Sequence, residues 1–346
     1  MKNNLGSLSD PLKFHDSLDI DSHESERLIR FLNKLITIRQ AEQKLAFGKE
    51  KGLIVGPVHL GVGQEAIAVG ISENLKKTDR VFGAHRSHSH ILSLNLDVYK
   101  LFAEVLGRIT GFSKGMGGSM HLYDQENGFF GSTPIVAGTV SIALGAALAA
   151  KMQENNDIAV AYIGDGAFEE GVVHESLNFA SLHSLPILFV IENNLFASHM
   201  NISQRQPNNQ ISRFSEANEI TYKLLDGNNV ELIYKQSKEL VDSMRNENRP
   251  AVIELVTYRW YGHVDWREDI DVGVERSKED IENWKKRDPI SRLSKAMIDK
   301  GIWSSEQNSA LEKKINKNIE SAWLSALEDK TPAAKVLLNN VYKDSE

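Results

Sequence analysis

Apolar and polar positions follow different rhythms along this chain, and each rhythm predicts a different kind of element. Between residues 24 and 49, Leu28, Leu32, Leu35 and Ile36 recur at helical spacing, which predicts one long helix with a single apolar face. Shorter helical stretches follow at 64–74 and 98–106, with a brief strand at 81–84 between them. Residues 158–163 and 187–191 are unbroken apolar runs of strand length, and 251–256 is a third strand candidate interrupted only by Glu254. A strand covered on both faces has no polar side to show, so such runs predict buried strands. Helical stretches at 136 to about 152, at 167 to about 184 and around Val241 separate them. Strand and helix therefore alternate, which predicts an α/β fold with a mainly parallel sheet and helices on both faces. Residues 111–134 show no period and are rich in glycine, and a loop that long inside a compact domain is usually functional.

The ends differ from the middle. Residues 1–22 are polar and turn-rich, an arm expected to be flexible unless something pins it. Residues 23–275 form the catalytic α/β domain, and 276–346 a helical extension. The extension has capping-box starts at Ser277 to Asp280 and Ser304 to Gln307, with Asp288-Pro289 punctuating between them.

In a parallel βαβ unit both strands end on the same edge, because the crossover carries the chain back to its start. The run at 158–163 leads into Gly164-Asp165-Gly166, and the run at 187–191 leads into Glu192-Asn193-Asn194. Asp165 and Asn194, 29 positions apart, should therefore meet at the carboxyl edge, where open α/β sheets bind ligands. One carboxylate and one amide oxygen suit a hard cation such as Mg²⁺, which keeps places for phosphate oxygens and water. Gly166 and Ala167 are expected to open the next helix, with N–H groups facing an anion.

Composition narrows the classes. A net charge of −7 argues against nucleic acid or an anionic membrane as main partner. With no cysteine there is no disulfide, thiol nucleophile or thiolate-bound metal. The first ten residues carry no apolar run of signal-peptide length, so the expected location is cytoplasmic. The longest apolar stretch, 135–150, falls short of the roughly 20 residues a membrane span needs and is expected as a buried helix packed through Ala and Gly. Gly61-Val62-Gly63-Gln64-Glu65-Ala66 has the look of a dinucleotide fingerprint but lacks the strand that should precede it.

Gly164-Asp165-Gly166, followed by 26 residues and Asn193-Asn194, resembles the diphosphate-binding motif of thiamine-diphosphate enzymes. More of the chain joins the resemblance: Val58-His59-Leu60 with Gly63-Gln64-Glu65-Ala66, His85-Arg86-Ser87-His88, and the run from Lys114 to His121. Ile135-Val136 and Tyr258-Arg259-Trp260-Tyr261-Gly262-His263 complete it. From about Ser25 to the C-terminus the chain is similar to the α subunit of the decarboxylating component of 2-oxoacid (pyruvate-type) and acetoin dehydrogenases.

That resemblance implies thiamine diphosphate and Mg²⁺ as cofactors. It adds the carbonyl of Phe196 to Asp165 and Asn194 as metal ligands. His85, Arg86 and His263 would hold the diphosphate, and main-chain groups of Pro134 and Val136 would bind the aminopyrimidine ring. Many members have tyrosine at the position of His85, whereas the acetoin type has a histidine-rich run like His85-Arg86-Ser87-His88-Ser89-His90. His59 and His88 resemble histidines that line the substrate channel, where with His263 they would pass protons. His90 and His121 are read as structural. A histidine-rich loop could instead bind Zn²⁺.

The implied reaction cleaves the C–C bond next to a carbonyl, in a 2-oxoacid or acetoin, and passes the acyl group to a lipoyl acceptor on an acyltransferase. The resemblance also implies a β subunit that supplies an activating glutamate, in a heterotetramer of two α and two β chains. After His263 the run Val264-Asp265-Trp266-Arg267-Glu268-Asp269 departs from the Ser and Asp-Pro of complex-forming members. That departure leaves a transketolase-like carboligase as the alternative, with a non-catalytic subunit of decayed site behind it.

Overall fold

The computed structural model describes residues 3–268 and 276–336. Asp269, and the domain boundary expected at 275, lie outside the described residues. The first strands are β1 (Arg80–Phe82), β2 (Phe129–Gly131), β3 (Ala159–Gly164) and β4 (Ile187–Asn193). A short antiparallel pair, β5 (Phe196–Ala197) and β6 (Met200–Asn201), precedes β7 (Thr221–Asp226) and β8 (Ala251–Val256). The sheet runs β2-β1-β3-β4-β8-β7, and every neighbouring pair in it is parallel.

The unbroken apolar runs have a simple cause. Alternate residues of the three central strands enter two separate cores, one on each face of the sheet. Val160, Tyr162, Leu188, Val190, Ile253 and Leu255 enter one core. Ala159, Ala161, Ile163, Phe189, Ile191 and Val252 enter the other. Helices α1 (Ser25–Glu50), α2 (Glu65–Ser72), α3 (His88–Asn95) and α4 (Val98–Val105) come before the central strands. Leu28, Leu32, Leu35 and Ile36 of α1 are all buried, as their spacing predicts. After these come α5 (Gly138–Gln153), α6 (Gly171–Leu182), the single turn α7 (Arg213–Glu216) and α8 (Val230–Glu247). The extension supplies α9 (Lys278–Lys285), α10 (Pro289–Asp299) and α11 (Ser305–Glu328).

Three expectations need correction. The helix at 135–150 is buried on one face only. Val140, Ala143, Ala147 and Ala150 of α5 pack inward, while Ile142 is 59% exposed. The helix after Asp165 does not begin at Gly166: a 3₁₀ turn, Ala167–Glu169, comes first, and α6 starts at Gly171. Asp288-Pro289 opens α10 instead of merely breaking the chain. Asp288 caps the N–H groups of Ile290 and Ser291, and proline occupies the first turn, where no donor is needed. The N-terminal segment lies against the body, with Leu5, Leu18 and Ile20 buried. Arg287 and Arg292 donate to the carbonyls of Leu8 (2.8 Å) and Asp16 (3.0 Å).

Candidate active site

β3 and β4 run in register with Gly164 beside Glu192, so Asp165 and Asn194 leave the sheet at one edge. Both line a cavity of about 330 Å³. His85, Arg86, Val136, Gly166, Ala167, Phe196 and His263 line it too. His59 joins through its ring, 4.7 Å from that of His85 between centroids. Pro134 and His88 do not line the cavity.

The carboxylate of Asp165 is buried, and burial pushes its pKa up against the opposing pull of Arg205 and Arg259. Arg205 bridges Asp165 and Glu169. A buried carboxylate at a cavity wall is a place where a metal ion would be stabilised. Asn194 is oriented by its neighbours: its Nδ2 donates to Oε1 of Gln64 at 3.1 Å, while its Oδ1 accepts from the N–H of Phe196 at 3.3 Å. That leaves the amide oxygen, not the nitrogen, on the side away from Gln64. Leu195, between Asn194 and Phe196, has φ +70°, a strained value that only a built turn keeps.

The two glycines flanking Asp165 differ. A Cβ on Gly166 would lie 2.3 Å from the Cβ of Ala197, so this turn can close against β5 only without a side chain. A Cβ on Gly164 would meet no protein atom within 4 Å, although Gly164 lines the cavity. Nothing in the chain itself demands glycine there; a ligand would. Gly164→Val is therefore expected to melt within about 2 °C of the parent. Its affinity for a diphosphate ligand should drop at least about tenfold. Calorimetric melting and titration together check this, and equal affinity would refute it.

His59, His85 and His263 form a cluster, their ring nitrogens within 4.8 Å of one another. Burial, then the charge of Arg86, depresses His59 to about 3 and His85 to about 2. Both imidazoles are thus neutral near pH 7 and can accept a proton or donate one N–H each. The sign for stability follows. Unfolded, each would ionise near 6.5, so folding excludes protons below that value. Their contribution is complete above pH 6.5 and is lost as pH falls from there toward about 3. At pH 5.5 the loss is at most about 1.4 kcal/mol for each histidine. Denaturant midpoints are expected to fall between pH 7 and 5.5, and to fall less in His85→Tyr; equal slopes would count against the depressed value.

Arg86 ties this cluster together. Its guanidinium donates to the carbonyls of Leu60 at 2.5 Å and His263 at 3.1 Å, joining two segments that lie far apart in sequence. The expectation that His88 lines a channel is not met: its side chain is wholly buried. Its Nδ1 lies 3.2 Å from Glu42 and its Nε2 2.9 Å from Ser119, so it links α1 to the glycine-rich loop. His90 stacks on Tyr162 at 3.7 Å and lies 3.1 Å from Glu192, a cavity-lining carboxylate.

Comparison with known proteins decides the family. The dehydrogenase E1 component family model matches residues 33–335. This chain belongs to that family. It is 31% identical over 322 residues to the α subunit of acetoin:2,6-dichlorophenolindophenol oxidoreductase from Bacillus subtilis, covering 93% of this chain and 95% of that one. It is 32% identical over 317 residues to the pyruvate dehydrogenase E1 component subunit alpha of Rickettsia typhi, covering 92% and 96%. The Rhizobium meliloti protein of that name is 31% identical over 314 residues, covering 90% and 89%.

Four residues of this E1 chain's site carry no signal in the sequence pattern. Gln64 and Arg259 stood inside recognised runs, but spacing gave no hint that one orients Asn194 and the other, fully buried, donates to the carbonyl of Ser198 at 3.0 Å. Glu192 reads as the end of a strand. Arg205 sits on a polar loop with no pattern linking it to Asp165, 40 positions earlier.

Proposed function

We propose that this chain is the α subunit of a thiamine-diphosphate-dependent dehydrogenase component acting on a 2-oxoacid or on acetoin. One observation carries the reading: Asp165 and Asn194 converge on a single cavity rim that Arg86, His85 and His263 also line. The donor set fits the metal, because carboxylate, amide and carbonyl oxygens suit Mg²⁺ and no thiolate is available. Asp165, Asn194 and the carbonyl of Phe196 would hold Mg²⁺. Arg86, His85 and His263, with the N–H groups of Gly166 and Ala167, would hold the diphosphate oxygens. Main-chain groups of Val136 and Pro134 would meet the aminopyrimidine ring.

When bound, thiamine diphosphate supplies the electron sink that lets a C–C bond next to a carbonyl break. The protein's part is orientation, proton handling and exclusion of water. His59 and His263 stand at the cavity as proton carriers for the substrate's oxygen and carbon. His88 is a positioning residue, fixing the glycine-rich loop against Glu42 and α1.

A second chain is part of this reading. Ile135 and Val136 are 71% and 51% exposed beside the cavity, and Ile142 continues that apolar rim along α5. Such a rim suits a partner that closes over the cofactor, here a β subunit supplying the activating glutamate in an assembly of two α and two β chains. A lipoyl-bearing acyltransferase is the proposed acceptor of the acyl group, in the cytoplasm. Among the described residues no helix is long and apolar enough to cross a membrane.

The test is a steady-state screen of the reconstituted pair against pyruvate, 2-oxoisovalerate and acetoin, with an artificial electron acceptor. Turnover is expected with one of them and should need both chains, thiamine diphosphate and Mg²⁺. No turnover with any, at saturating cofactor and with the partner chain present, would contradict the proposal.

A further inference from the structure

The cluster of His59, His85 and His263 has a geometry that diphosphate binding does not require. Its ring centroids are 4.7, 5.1 and 5.6 Å apart. In a tetrahedral zinc centre with three histidines, bonds of about 2.0–2.1 Å place the ring centroids about 5 Å apart and the donor nitrogens about 3.4 Å apart. The rings already stand at that separation. The nitrogens, within 4.8 Å of one another, reach it by small rotations of the side chains. His59 is 8% exposed, and its buried Nδ1 has no hydrogen-bond partner. A buried ring nitrogen of that kind is a cost to the fold that a metal bond removes.

The convergence is also held from outside. The three histidines come from the segment before α2, the turn after β1 and the segment after β8. Arg86 fastens the first to the third through the carbonyls of Leu60 and His263. The N–H of Asp265 donates to the carbonyl of Val58 at 2.7 Å, a second tie between the same two segments. A fourth imidazole, His199, stands 6.2 Å from His263.

We propose that His59, His85 and His263 form a second cation site, for a divalent transition metal of zinc's class, distinct in chemistry from the oxygen donors Asp165 and Asn194. Imidazole suits zinc, copper, nickel and cobalt, whereas Mg²⁺ selects oxygen. His59 and His85 are neutral near pH 7, so protons do not compete there for their ring nitrogens. The charges of Arg86 and Arg259, which help to keep them neutral, also repel a dication and hold the affinity to a moderate level. A metal in this site would engage His85 and His263 and would thereby oppose diphosphate binding. That consequence rests on the proposed function; the metal binding does not.

The experiment is a Co²⁺ titration of the full chain after chelation, with excess Mg²⁺ present to occupy the oxygen donors. The visible bands of tetrahedral cobalt are expected to saturate at one ion per chain. His59→Ala and His85→Tyr should each weaken binding by at least about tenfold, while Asp165→Asn leaves it unchanged. X-ray absorption on the Zn²⁺-loaded parent chain, independent of any variant's folding, should show three imidazoles around the metal. Absence of the visible bands, bands that survive both histidine variants, or a shell of oxygen alone would overturn the proposal.

Discussion

Asp165→Asn is expected to lower turnover of the reconstituted enzyme about a thousandfold at saturating cofactor, with little change in melting temperature. The substitution keeps the shape of the side chain and removes only its charge. Without that charge the oxygen donors around the metal are an amide from each strand edge and a main-chain carbonyl, a weak set for Mg²⁺. Arg205 keeps a partner in Glu169, so the variant should not suffer the loss that follows when a buried cation is left alone. Steady-state rates and calorimetric melting separate the two effects. Turnover within tenfold of the parent would remove Asp165 from the metal site.

Arg39→Met is expected to have the largest effect on stability, about 3–5 kcal/mol, or roughly 4–7 °C in melting temperature. The buried guanidinium of Arg39 pairs with both oxygens of Glu65, reaches Oδ1 of Asp288 at 2.8 Å and lies 4.0 Å from the ring centre of Trp260. It thereby joins α1, the start of α2, the cap of α10 and the segment that carries His263. Glu65 is fully buried and also accepts from the N–H of Gly63 at 3.1 Å. Burial already raises its pKa, and losing Arg39 removes the main opposing charge. In the variant a folded chain therefore binds a proton that the unfolded chain releases above about pH 4.5. The deficit should shrink as pH falls toward that value and grow as it rises. A deficit under 1 kcal/mol at pH 7, read by differential scanning calorimetry, would show that the network is not needed.

The central strands were legible because they are covered twice: β3, β4 and β8 have no polar face to hide their pattern. Their order and register bring Asp165 and Asn194 to one edge. β7 escaped notice because it is an edge strand, half-buried along most of its length, with Lys223 and Tyr222 among its apolar residues. β2 lies inside the glycine-rich stretch, and α3 mixes His88, Ser89, His90 and Ser93 with its apolar residues, so neither shows a period. α5 departs from its pattern for a different reason. Composition cannot tell a helix buried all round from one buried on a single face, and Ile142 lies on the exposed face. Gln64 and Arg205 act through contacts across 130 and 40 positions, which no local spacing encodes. His59, His85 and His88 came from resemblance alone, and packing then divided them: two by the cavity, one behind it.

The most direct check of the account is calorimetric titration of thiamine diphosphate into the chain with its β partner, in the presence of Mg²⁺ and again with the metal chelated. Binding is expected only with Mg²⁺, at one site per α chain, and Asp165→Asn should weaken it by at least about tenfold. Binding of equal strength without the metal, or unaltered by that substitution, would contradict the claim that these two strand ends hold a metal diphosphate between them.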